Sequence, residues 1–98
     1  MMSADIKYSD IERLVDYAIK QMIREARGTC IMVYPKKIAK RAGLSTKPVI
    51  LSLIDYRLQM LKEKGLIKFW KRSGHAKKYI IPNTSPLWKE AKGEGGKT

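Results

Sequence analysis

The chain has 98 residues, with 21 Lys or Arg against 9 Asp or Glu and a formal net charge of +12. That length makes one domain; a single cysteine excludes an internal disulfide and a thiolate metal cluster, and no apolar run reaches the roughly 18 residues of a membrane span. An acidic start without a basic-then-apolar leader points to a soluble, cytoplasmic protein.

Residues 1–8 are expected to be a flexible lead-in. Ser9-Asp10-Ile11-Glu12 has the form of a capping box, in which the serine accepts from an amide of the first turn and Glu12 reaches back. Ile11, Leu14, Val15, Ala18, Ile19, Met22, Ile23 and Ala26 then recur at intervals of three and four, the buried stripe of an amphipathic helix. Arg13, Asp16, Lys20, Arg24 and Arg27 lie outside the stripe, with Asp16 and Lys20 spaced for an i,i+4 pair. Gly28 stands where a left-handed residue ends such a helix.

Residues 29–34 are β-branched, aromatic or apolar and too few for a helix, so they form a short strand. Cys30 within it is expected to be a small buried hydrophobe. Pro35 opens a second helix at the position where its missing amide costs nothing. Ile38, Ala39 and Ala42 point inward there and Lys36, Lys37, Lys40 and Arg41 outward; Gly43 stops the helix and Leu44 plugs the turn.

A third helix is expected from about Thr46 to Lys64. Ile50, Ile54, Leu58 and Leu61 make one apolar stripe, while Val49, Leu53, Tyr56 and Met60 make a second nearly opposite, with Ser52, Asp55, Gln59 and Lys62 as a polar stripe. Two apolar stripes imply burial on two sides. Residues 83–92 folding back can cover the second; so can a homodimer contact, which is the expectation adopted.

Residues 66–72 and 77–81 alternate as the strands of a basic hairpin, with Ile67, Phe69, Tyr79 and Ile81 inward and Lys68 and Trp70 outward. Its tip, Ser73-Gly74-His75-Ala76, has the glycine that a tight reversal needs. Pro82 ends the pairing. Ser85-Pro86 then opens a short C-terminal helix on which Leu87 or Trp88 docks, and residues 93–98 form a disordered tail. The domain proper is residues 9–82.

Little here supports catalysis. His75 is the lone histidine and has no nucleophile or carboxylate motif beside it. Gly96-Lys97-Thr98 mimics the end of a phosphate loop, but Ala91 stands in place of the first glycine. No enzyme activity, cofactor or metal is expected. Charge carries more information. Residues 1–34 balance to zero, so the whole +12 belongs to residues 35–98, the footprint of a polyanion binder. Three groups are placed to meet phosphate: Lys36, Lys37, Lys40 and Arg41 on the second helix; Ser45, Thr46 and Lys47 at the start of the third, where free amides hold an anion; and Lys68, Lys71, Arg72, His75, Lys77 and Lys78 on the hairpin. Ser52, Asp55 and Gln59 are the candidates for contact with base edges.

The order helix, strand, helix, turn, helix, basic hairpin, with Ile38-Ala39 preceding Gly43-Leu44-Ser45 and with Leu58, Leu61, Glu63, Lys64, Gly65, Leu66 and Ile67 after it, resembles prokaryotic winged helix-turn-helix DNA-binding proteins, of an archaeal type, over residues 9–81. That resemblance implies an α+β fold of three helices, a short strand and a two-stranded wing, here with a short C-terminal helix. It implies a small nucleoid-associated protein, a transcription regulator or chromosome organiser, that binds duplex DNA mainly through phosphates. The step from Leu44 to Gly65 is longer than such regulators usually have, so their base-reading positions do not transfer one by one. A shorter similarity, in Lys64-Gly65-Leu66-Ile67-Lys68, is to winged-helix ribosomal proteins and implies structured RNA instead. A winged helix that docks on a protein of the transcription or replication machinery is the third alternative.

Overall fold

The computed structural model describes residues 7–74 and 76–96; His75, at the hairpin tip, and most of the lead-in lie outside it. The described residues form an α+β fold with four helices and one three-stranded antiparallel sheet. Helix α1 spans Tyr8–Glu25 and buries Ile11, Val15, Ala18, Ile19, Met22 and Ile23, which belong to the expected stripe. It begins before the expected capping box: Lys7 is the N-cap, no side chain caps the helix, and Ser9 lies within the first turn. Tyr8 draws the start back, since its ring packs edge-on against Tyr56, with centroids 5.5 Å apart. Gly28 is not left-handed. Extended Ala26 ends the helix instead, donating its N–H to the Ile23 carbonyl and launching the chain toward the sheet.

Strand β1, Cys30–Val33, leads through Tyr34 into α2, Pro35–Ala42, which has proline in its first turn. Gly43 is left-handed at φ 75°, and the Leu44 N–H reaches back to the Ala39 carbonyl at 2.8 Å, closing the end of α2. Helix α3 starts at Pro48, two residues later than expected, and ends at Glu63. Proline holds the preceding residue extended, and Lys47 has ψ 150°; Ser45, Thr46 and Lys47 therefore form an exposed connector. Of the two apolar stripes, Ile50, Ile54, Leu58 and Leu61 are buried. Val49 and Tyr56 of the other remain 63% and 54% exposed, and Leu53 packs partly on the core.

After Gly65, at φ 79°, come β2, Lys68–Ser73, and β3, Ala76–Pro82. The sheet order is β1-β3-β2, so the last strand in sequence lies in the middle. Val33, Tyr79 and Ile81 are buried on its inner face. The expected inward Phe69 is 48% exposed, although it meets the Tyr79 ring edge-on with centroids 5.9 Å apart. It keeps the inward register but lies on the edge strand β2; a bulge follows it, since Phe69 pairs with Tyr79 but Lys71 with Lys78, leaving Trp70 as an extra residue. Cys30 is exposed rather than buried, because its register partner is Pro82 on the outer face.

Helix α4 spans Pro86–Gly96, past the expected end at residue 92. The Ser85 hydroxyl accepts from the Leu87 N–H at 3.1 Å and donates to the Leu66 carbonyl at 2.6 Å, which ties the start of the helix to the segment after α3. Leu87, Trp88 and Ala91 are buried. Packing is along α1, where Arg24 Nε donates to the Ala91 carbonyl and Lys92 Nζ to the carbonyls of Arg24 and Ala26. No helix of the described residues is long and apolar enough to cross a membrane.

Candidate nucleic-acid interface

Pairing in the sheet decides which hairpin side chains share a face. Residues in register across strands lie on the same side. Tyr79 is inward, so its neighbour Lys78 is outward, and with it Lys71, its partner on β2. Lys68 pairs with Ile80 and Ile80 with Met32, which completes the outward row. The outer face thus gathers Lys68, Lys71 and Lys78. Arg72 and Lys77 pair with each other one step on, facing the other way toward the hairpin tip. The bulge therefore exchanges Lys71 and Arg72 between the two faces, which strand alternation alone does not reveal.

Helix α2 exposes Lys36 and Lys40. Lys37 is only half-exposed and donates through Nζ to the Met32 carbonyl at 2.7 Å, fastening the helix start to β1. Arg41 is paired with Glu25 of α1. Both lie at an open groove of about 480 Å³ whose floor includes Met22, Ala26 and Ile31. Two of the four expected α2 cations thus make internal contacts. In the connector, the Lys47 N–H donates to Ser45 Oγ at 3.1 Å, while Thr46 and the Lys47 side chain are exposed. No side chain caps α3.

The expected base-reading stripe is altered most. Ser52 is exposed, but Gln59 donates to Asp55 at 2.7 Å and the Tyr79 hydroxyl donates to the same carboxylate at 3.3 Å. Burial, then the Asp55 charge and hydrogen bond, push the Tyr79 phenol up to about 12, so it remains a donor at any ordinary pH. Asp55 is thus engaged with the sheet rather than presented to a groove.

Sequence patterning missed Arg57. Its guanidinium, 13% exposed, meets Asp16 at 2.8 and 3.2 Å and Glu12 at 3.4 Å. The hydrogen bond with Asp16, set against partial desolvation, raises its pKa further. Asp16 therefore joins α1 to α3, and Lys20 lies 3.8 Å from Glu90 of α4. Two acids one turn apart on α1 were the available signal. Beside Arg57 the Tyr8 hydroxyl is buried without a hydrogen-bond partner among the described residues, and burial, followed by Glu12, raises its pKa. Sequence alone allows Trp70 to stack on a base, to cover the sheet or to contact Trp88, and gives no sign of Tyr34; Lys71 Nζ lies 4.6 Å from the Trp70 ring centroid and Lys78 Nζ 5.4 Å from that of Tyr34. Among the described residues no group of three His, Cys, Asp or Glu is placed to hold a metal. The chain matches no protein-family model, no curated protein and no solved structure.

Proposed function

We propose that the chain is a small nucleic-acid-binding protein of winged helix-turn-helix type, with α2 and α3 as the paired helices and β2–β3 as the wing, holding duplex DNA chiefly through phosphates. Element order and the β1-β3-β2 sheet are compatible with that layout. The observation that carries the functional reading is the contrast in how charges are used. Acids of α1 are spent on Arg41 and Arg57, whereas Lys36, Lys40, Lys47, Lys68, Lys71 and Arg72 are exposed. Clustered lysines on a surface meet a polyanion by releasing its counterions. Sequence selectivity is modest on this reading, because Asp55 and Gln59 bond to each other. A role in transcription regulation or chromosome organisation, in the nucleoid, follows from the same reading.

The test replaces Lys36, Lys40 and Lys47 together with Gln, against a control with Arg13 and Arg27 replaced. Binding to a 20-base-pair DNA duplex is titrated across salt, with an RNA duplex of the same sequence alongside. The lysine variant should lower the salt slope by about 3, near 1 per phosphate contact, and the control should leave it unchanged. Equal losses from both sets, or preference for the RNA duplex, would count against the proposal.

A further inference from the structure

We infer that the outer face of the sheet, which shares Lys68 and Lys71 with the duplex surface, also takes unstacked bases of a single strand on Trp70 and Tyr34 while Lys68, Lys71 and Lys78 hold its phosphates. The inference rests on the reading of the chain as a nucleic-acid-binding protein and names a further substrate class for it.

Trp70 follows inward Phe69, and the bulge brings Lys71 to the same outer side. As the extra residue of β2 it is 49% exposed, on the edge of the sheet, beside outward Lys71. Tyr34 follows inward Val33 in extended backbone, at φ −154° and ψ 161°, so its ring turns to the outer side, where Lys78 lies over it. Each ring thus has an ammonium beside it. None of the described residues assigned to this face by the register is acidic; its floor is Met32 and Ile80. Charge on this face therefore complements a polyanion, and Lys71 and Lys78 lie over rings.

Aromatic rings bracketed by lysines fit one ligand better than a duplex. Bases in a duplex cover one another's faces, and a sheet cannot insert between them; a single strand offers the π-face of each base and the phosphates between them. Tyr34 and Trp70 flank the central strand on opposite sides, which separates them by about 10 Å, two strand spacings. That is well beyond the roughly 3.4 Å rise of a stacked strand. Bases seated on the two rings are therefore splayed apart, and the strand runs extended across β1, β3 and β2.

The experiment measures anisotropy of end-labelled dT12, rU12 and an abasic strand of the same length and charge, beside the DNA duplex, all at one salt concentration. Wild-type protein should bind dT12 or rU12 roughly ten-fold or more tightly than the abasic strand, since each stacked base is worth about 5- to 150-fold. Trp70→Ala should remove most of that preference and leave the abasic strand and the duplex within about two-fold, while Trp70→Phe should retain it. Tighter dT12 assigns the surface to DNA and tighter rU12 to RNA; either supports it. Equal binding of abasic and base-bearing strands, or a uniform loss on every ligand in Trp70→Ala, overturns it. Failure of the duplex reading alone shows separately, as wild-type protein that binds dT12 or rU12 but not the duplex.

Discussion

Tyr79 is 1% exposed, yet its hydroxyl ends on a carboxylate of α3. A hydrogen bond to a charged acceptor is worth about 1.5–3 kcal/mol, so Tyr79→Phe should weaken the protein by that order. The folded protein holds the phenol proton up to about 12, against 10.0 for an ordinary tyrosine. The folded pKa is the higher, so this contribution is whole below pH 10 and declines as pH rises through 10 toward 12. Urea unfolding of wild type and Tyr79→Phe should show the gap between them shrinking across that window; a gap independent of pH would refute the assignment. Asp55 also illustrates what residue patterning cannot see. On a helical wheel it belongs to an outward polar stripe, but its partner Tyr79 comes from a strand 24 residues later. Arg57 was illegible for the same reason, its acids lying 41 and 45 residues away.

Elements whose ends are decided locally were legible. Pro35, Gly43 and Gly65 act through their own backbone restrictions, and the structure has Pro35 in the first turn of α2 and both glycines left-handed. Ser85 caps α4 as its position ahead of Pro86 suggested. The two ends of α1 were misread because tertiary packing sets them: the Tyr8 ring on Tyr56 at one end and the path into β1 at the other. Gly65→Ala should therefore cost about 1–2 kcal/mol, the penalty for a side chain in left-handed backbone. Gly28→Ala, at a glycine without positive φ and with nothing within 4 Å of an added Cβ, should stay within about 0.5 kcal/mol. Denaturant midpoints check both, and equal effects would show that left-handed geometry is not what Gly65 supplies. The β2 bulge lay beyond sequence reasoning. Alternation places Phe69 inward and Lys71 with it, and only the pairing with β3 reveals that Trp70 is looped out and Lys71 turned over.

Across the whole molecule, charge is partitioned by use. Residues 35–98 carry the entire excess, which the sequence makes plain. Which cations are engaged becomes visible only when α1 is laid against α2, α3 and α4: Glu25 takes Arg41, Asp16 and Glu12 take Arg57, and Glu90 approaches Lys20. Lys36 and Lys40 on α2, Lys47 in the connector before α3, and Lys68, Lys71 and Arg72 on the hairpin are exposed, and they make up the surface proposed to hold duplex DNA. The direct test is the affinity of the full chain for a DNA duplex measured across a series of salt concentrations. With about five to eight phosphates neutralised, log affinity should fall against log salt with a slope of about −4.5 to −7; a slope near zero, or no binding at low salt, would contradict it.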